Sequence, residues 1–384
     1  MPTPSDNPGP ASCVRVVEVA DRRDRERFLT LPERLYRGDP HWVPPLLVER
    51  RAFLDPRKNP FFEHADVRLF LAVDDAGAVR GRIAGIVNHN HLAAHHDGVG
   101  FFGLFESERD PAVALRLFDA AAEFLRGHRL QVMRGPANMS VNDDIGLLVD
   151  GYDSPPTFMM PYNPPYYRDL VLGYGFSPAM RLWAYRAEDR DGPIPERLTR
   201  GAEAARRRHG YSVRPIDVRR LDEDLGRIHE VYTEAWRDNW GAVPMTRREL
   251  DHVAGMLRWF GDVDLCLIAE VGGEAAGFSL ALPDLNQALI GAGGRLLPFG
   301  ALKLLWHRRR IDTVRMLAMG VVRKFRYMAI DACFYHETIM RGLAKGYRRL
   351  EMSWVLENNL PMNRVLQKLG ARIAKTYQLY EYRL

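Results

Sequence analysis

The sequence predicts an α/β (mixed-sheet α+β) protein made of two tandem halves that arose by internal duplication. Three observations carry this. Residues 348–372, RRLEMSWVLENNLPMNRVLQKLGAR, read as a strand, a tight turn, a short helix and a glycine stop, with a further strand in TYQLYEYRL. The same order occurs earlier in the chain at a near-constant distance: Trp42 and Trp240 are 198 residues apart, and Gly175 and Gly370 are 195 apart. A chain of 384 residues that is 46% hydrophobic is also long and apolar enough for two ordinary cores.

Each element has a local reason. Leu350, Met352 and Trp354 alternate with Glu351 and Ser353, the period-2 pattern of a strand with one face toward a core. Asn358 and Asn359 are turn and N-cap residues, Pro361 suits a first helical turn, and Gly370 suits a helix stop. In the first half, residues 14–19 read as a strand, ERFLTLPERLY belongs to a helix, and GDPHWVPPL is a Pro-broken loop. In the second, strand, helix and a Trp-Val-Pro loop follow again from Tyr211. Residues 66–88 and 264–286 are matching hairpins, turned at Asp-Asp-Ala-Gly and at Gly272-Gly273. GVGFFGLFES and RMLAMGVV are matching strands. Helices follow them, with stripes of Leu115, Phe118, Ala122 and Leu125 and of Ala332, Tyr335, Ile339 and Leu343. The expected organisation is a disordered leader at 1–12, halves at 13–186 and 211–384, a charged linker helix at 187–210, and an insertion at 287–315 with no counterpart in the first half.

Composition narrows the function. Fifty-four Lys and Arg against 49 Asp and Glu make the chain mildly basic, which gives no reason to expect nucleic-acid binding. Three isolated cysteines lack metal spacing and an even disulfide framework, and fit a reducing compartment. The start has neither a basic region nor an apolar core, and no run reaches the ~18 apolar residues of a membrane span. The expectation is a cytoplasmic protein without a metal.

Strand, Asn-bearing turn, Leu-Gly-closed helix and strand, repeated, resemble the GNAT superfamily of acyl-CoA-dependent N-acyltransferases. RGDPHWVPPL, NPFFEHA, GLLVDGYDSPPTFMMPYNPPYY, EAWRDNWGAVP, LPDLNQAL and WVLENNLPMNRVLQKLGA together resemble a family of bacterial GNAT-like proteins of about this length that includes bacterial ceramide synthases. The likeness runs from Cys13 onward. It implies two GNAT-like units, acyl-CoA or acetyl-CoA as co-substrate, and a lipid-like primary amine of the sphingoid type as acceptor. Two rivals stand beside it: a tandem GNAT-like aminoacyltransferase using charged tRNA, and a non-catalytic scaffold that binds acyl-CoA or lipid.

The resemblance places the phosphate-binding loop of the second half at GVVRKFRYMAIDA. There Arg323, Lys324 and Arg326 supply charge, Ala329 is the last small residue, and Tyr327 replaces a glycine and is expected to crowd the loop. Asn358 and Asn359 are expected to organise the turn or the thioester. The helical tyrosine that serves many relatives as acid is replaced by Leu366 and Val171. Proton transfer is therefore sought in the polar stretch PANMSVNDDIG and the segment after it, at Asn142, Asp144, Tyr162 and Tyr166. Phe158, Met160, Asn163 and Trp240 are expected to line the acceptor site. Asp284, Asn286, Glu351 and Glu357 are further carboxylate or amide candidates, and His41 shares the first Trp loop. The His89–His96 run reads as an exposed loop or, less well, a metal site. In the insertion, Leu302, Leu305 and Trp306 lie on one helix face and Lys303, His307 and Arg310 on another. That pattern suits a membrane surface or a lipid entrance, or a helix packed over the sheet with its charges in solvent.

Overall fold

The computed structural model describes residues 14–189, 196–237, 239–260, 262–294 and 300–384. The leader at 1–12 and part of the linker and of the insertion lie outside them. The first half runs β1 (Arg15–Glu18), α1 (Arg22–Leu35), α2 (Leu47–Phe53), β2 (Ala65–Val73), β3 (Val79–Asn88), α3 (His89–His95), β4 (Val99–Ser107), α4 (Pro111–Gly127), β5 (Val132–Gly135), β6 (Leu147–Asp150), α5 (Tyr167–Tyr174) and β7 (Ser177–Glu188). The second runs α6 (Glu196–His209), β8 (Ser212–Pro215), α7 (Leu221–Trp236), α8 (Arg247–Phe260), β9 (Cys266–Val271), β10 (Glu274–Pro283), α9 (Asn286–Ala292), α10 (Gly300–Arg308), β11 (Thr313–Val321), α11 (Ile330–Ala344), β12 (Arg349–Leu356), α12 (Leu360–Lys368) and β13 (Arg372–Arg383).

Local chemistry explains the ends of these elements. Asp110 accepts from Ala112 N with Pro111 behind it, so α4 begins where capping residue and proline dictate. Asn359 accepts from Met362 N at 3.3 Å and starts α12. Gly175 and Gly370, both at positive φ, let the chain leave α5 and α12 in the left-handed region. The helical stripes differ in part from their pattern. Leu115 of α4 and Leu343 of α11 are exposed, because Val113, Ala114, Leu117 and Phe118 in one helix and Cys333, Phe334 and Tyr335 in the other take the inner face.

The thirteen strands of the described residues form one sheet, in the order β1-β2-β3-β4-β5-β13-β7-β12-β11-β10-β9-β8, with β6 paired to β13. Each half's closing strand therefore lies against the other half. β7 pairs with β12, β13 pairs with β5, and the two pair with each other. We propose the units 13–186 and 211–384 as duplicated halves that exchange these strands, so that neither completes its sheet alone. The Trp loops cross over too. Leu47 N donates to Gly294 O at 3.2 Å, and Val43 and Leu46 pack on Leu285, Ala288 and Leu289. In return, His95 donates to the Ala242 carbonyl at 2.8 Å, and the Arg134 guanidinium lies 4.8 Å over Trp240.

Two local expectations are corrected. The histidine run is helix α3 rather than an exposed loop; His91 is fully buried against Asp97 at 3.1 Å, with His95 beside it. The insertion is shorter than its sequence suggests, since α9 begins shortly after β10 as α3 begins after β3, leaving α10 as the helix of the described residues without a counterpart.

Candidate active site

The paired strands β4 and β5, and β11 and β12, run parallel for a few residues and then part. The two partings differ. In the first half the gap is filled by its own chain. Asn138 Oδ1 accepts from Leu104 N at 2.8 Å, and Ala137 N donates to Phe102 O. Gly103 is pressed so closely on this loop that a Cβ there would meet the Ala137 carbonyl at 1.9 Å. In the second half pairing ends at Met316 and Met352, and Leu317, Ala318 and Met319 remain half-buried beyond it.

At the root of that second gap, one face of the sheet is polar. Parallel pairing sets Arg315 beside Glu351, antiparallel pairing sets Glu351 beside Arg186 and Lys375 beside Ala184, and Ser353 and Tyr377 follow two residues along their strands. Every one of these side chains except Arg186 is buried. The sequence alternation suggested that Glu351 and Ser353 would face away from the core. They are covered instead by the first half's crossover, residues 151–163, laid across them.

Hydrogen bonds fasten the crossover down. Thr157 Oγ1 donates to Glu351 Oε1 at 2.5 Å and Ser353 Oγ to the same oxygen at 3.2 Å. Arg315 donates through Nη1 to the Phe158 and Met159 carbonyls at 2.8 and 2.9 Å and through Nε to Ser353 Oγ at 3.0 Å, with Trp354 5.1 Å from its guanidinium. Asp284 Oδ1 accepts from Phe158 N at 2.8 Å. Lys375 Nζ donates to the Gly151 and Ser154 carbonyls. Burial controls the protonation of these groups. It pushes Asp284 up to about 7, helped by the Glu351 charge, and pulls Lys375 down to about 8. The Tyr377 hydroxyl has no hydrogen-bond partner among the described residues; burial and the Glu351 charge hold its pKa well up.

The loop before β6 brings in carboxylates. Asp144 is half-buried and raised by burial, against the opposing charges of Arg50 and Arg315. Asp143 is pushed up to about 7 by burial and by Asp144. Asn142 ties the loop to the second half, donating to Val243 O at 3.2 Å and accepting from Tyr232 Oη at 2.7 Å.

The residues singled out from sequence separate into groups. Asp144, Phe158 and Met160 meet at the polar face; Met160 Sδ accepts from Ser353 Oγ at 3.4 Å. Asn163 holds β6 through Leu148 N at 2.7 Å. Tyr162 and Tyr166 lie elsewhere, their hydroxyls donated to Asp39 at 2.9 Å and to Ser107 O at 2.7 Å. They flank a buried first-half cluster in which Tyr36 and Tyr167 donate to Glu106 Oε2 at 2.9 and 2.8 Å. Trp240 packs in the first half's core, and Trp306 is exposed. His41 N caps onto Asp39 at 2.9 Å. Asn359 organises the turn as its cap, Asn358 is exposed, and buried Asn363 closes the turn on the Leu356 and Glu357 carbonyls. In the phosphate-loop segment, residues 323–328 form a tight 3-10 turn. There Lys324 pairs with Glu274, Arg326 donates to Ala235 O at 3.1 Å, Arg323 N donates to Glu234 at 3.3 Å, and Ala329 sits at positive φ before α11. Tyr327 is 96% exposed and so does not crowd the loop. Arg315, Lys375, Tyr377 and Arg50 carried no sequence signal, standing singly in apolar or amphipathic runs.

Among the described residues no cluster of three or more His, Cys, Asp or Glu side chains forms a metal site, and no helix is long and apolar enough to cross a membrane.

No protein-family profile matches the chain. A bacterial ceramide synthase of Caulobacter vibrioides is 38% identical over 377 residues, covering 95% of this chain and 96% of that protein. Protein YghO of Escherichia coli is 32% identical over 367 residues, covering 94% and 93%. Among solved structures, a tandem GNAT protein from the clavulanic acid biosynthesis pathway superposes with a TM-score of 0.57 at 13% identity, over 96% of this chain and 98% of that one. A GCN5-related N-acetyltransferase from Sphaerobacter thermophilus gives 0.54 at 14%, over 96% and 95%. With relatives this similar along nearly its whole length, and a sheet that superposes on tandem GNAT structures, the chain is an N-acyltransferase of the bacterial GNAT-like family that includes the Caulobacter ceramide synthase.

Proposed function

We propose that this protein transfers a fatty acyl group from CoA to the primary amine of a sphingoid-type long-chain base, at the cytoplasmic face of a membrane. The observation that carries the reading is the crossover, which lays Phe158, Met159 and Met160 beside buried Arg315 and Glu351 at the root of the parting between β11 and β12. An apolar wall ending in charged groups suits an amine on a hydrocarbon tail. The gap between β11 and β12 takes the thioester arm; its first-half counterpart is closed by Asn138. Arg323, Lys324, Arg326 and the turn before α11 are assigned to the phosphate end of CoA, which requires Lys324 to leave Glu274.

The amine nitrogen attacks the thioester carbon, the C–N bond forms and the C–S bond breaks. The proton leaving nitrogen passes to the Asp143–Asp144 pair, with Asp144 as base. Tyr377, rather than Tyr162 or Tyr166, gives the departing thiolate its proton, since its hydroxyl is the one without a partner beside Glu351 and Arg315. Asp284 and Lys375 hold the crossover in place.

The test is mass spectrometry after incubation with palmitoyl-CoA or acetyl-CoA and an amine panel of sphinganine, 3-ketosphinganine, spermidine and amino acids. A long-chain amide is expected. Acetylation of a small polar amine alone would discard the lipid acceptor, and CoA binding without product would favour a non-catalytic scaffold.

The pH profile should follow the carboxylate pair. A base works only when deprotonated; burial raises both carboxylates, and the Asp144 charge lifts Asp143 further, to about 7. Acylation should rise with pH along a limb displaced upward from the ordinary carboxylate range, because burial raises Asp144. Asp143→Asn removes a neighbouring negative charge, so the limb should move to lower pH; Asp144→Asn should lower the rate by roughly 100-fold or more. An unchanged profile in both variants would remove the pair from the reaction.

A further inference from the structure

Helix α10 carries an unusual surface. Leu302, Leu305 and Trp306, spaced along one side, are 65, 61 and 55% exposed, and Ile290 at the end of α9 is exposed nearby. Residues 300–311 contain Lys303, Arg308, Arg309 and Arg310 and no acidic residue. The Arg310 guanidinium stacks 3.7 Å over the Trp306 ring. A shallow surface cavity of about 510 Å³ is lined by Leu305, Trp306, Arg308 and Arg309, apolar and cationic groups side by side. The opposite side of the helix is anchored: Leu304 packs with Leu285, Ala288, Leu289 and Ile311, the same cluster that receives Phe158 of the crossover.

We propose that α10 is a docking element for an anionic lipid bilayer. Leu302, Leu305 and Trp306 enter the boundary between headgroups and acyl chains, and Lys303 with Arg308–Arg310 meets lipid phosphates. Charge complementarity chooses this occupant, because an apolar patch collared by cations alone matches a negatively charged lipid surface, where each cation adds measurably to binding. The anchoring through Leu304 sets the Phe158 wall beside the docked surface. A long-chain amine leaving the bilayer thus meets the crossover first, a consequence that rests on the lipid acceptor proposed above, whereas the docking does not.

The experiment is co-sedimentation of the full chain with vesicles of phosphatidylcholine alone and of phosphatidylcholine with added phosphatidylglycerol. Binding to the anionic vesicles is expected, weakened by salt, with little on the neutral ones. Lys303→Glu and Arg309→Glu should each reduce it by roughly fivefold or more, and Leu302→Asp with Trp306→Asp should remove it. These side chains are exposed, so the thermal transition should stay unchanged in every variant, which separates lost docking from lost fold. Wild-type protein left in the supernatant with anionic vesicles would overturn the proposal, as would equal binding by the variants. So would a dimer that Trp306→Asp disperses without any vesicle binding, which would give this face to a second copy. With a short-chain soluble amine the double variant should match the wild type, and with a vesicle-borne long-chain amine it should be slower. Vesicle binding without acylation of any amine would leave the docking intact and refute the proposed function instead.

Discussion

Arg315→Met should abolish acyl transfer and cost about 3–5 kcal/mol of stability, the range for removing one member of a buried charged network. Arg315 is 2% exposed and donates to Ser353 Oγ, to the Ser353 carbonyl at 3.3 Å, and to the Phe158 and Met159 carbonyls. A thioether of similar length fills the volume but satisfies none of these acceptors. It also takes from Asp144 one of the two cations that favour its charged form. The crossover would lose its main tie to β11, and the apolar wall and the carboxylates proposed for proton transfer would separate. Arg315→Lys restores the charge without the planar fork, so an intermediate loss is expected. Urea denaturation reads the stability and the acylation assay reads the site. A variant with wild-type midpoint and rate would show that this network neither holds the crossover nor serves the reaction.

Removing residues 372–384 should unfold both halves, although the cut lies in the second. β13 covers the edge of β5, pairs along the length of β7 and carries β6. It also buries Lys375, and places Tyr377, Leu379 and Tyr380 in cores built mainly from the first half. Without it β5 and β7 become open edges with exposed backbone groups and unburied apolar faces, a combination that aggregates. Residues 14–189 expressed alone should fail for the reciprocal reason, since β7 would lose both β12 and β13. Circular dichroism melting and limited proteolysis check this. A cooperative transition for the isolated first half, near that of the whole chain, would mean that the exchanged strands are dispensable.

Much of the fold was legible because its signals are local. Asn359 as cap, Pro111 at a first turn, Gly175 and Gly370 as stops, and the matching hairpins each depend on a few neighbouring residues. The constant offset between halves then required only comparison of the chain with itself. Part of the candidate site was legible for the same reason. The stretch around Asp144 and the segment TFMMPY stand out as polar and apolar runs where an ordinary connection has no need of them.

Other residues gave no such signal, and the cause is physical. Lys375 and Tyr377 stand in a strand whose alternation is that of any amphipathic β-segment, and Arg315 is one cation after a basic helix. Burial in a sheet that neighbours supply from far along the chain makes them unusual. Tyr162 and Tyr166 illustrate the converse: they were conspicuous in sequence, yet Asp39 and Ser107 already use their hydroxyls. The sequence by itself determined the elements, their duplication and the family. Which strand closes which half, which of two like gaps is filled by its own loop, and which charges share one buried face were decided by tertiary structure, because strand pairing and desolvation depend on contacts between residues as much as 253 positions apart.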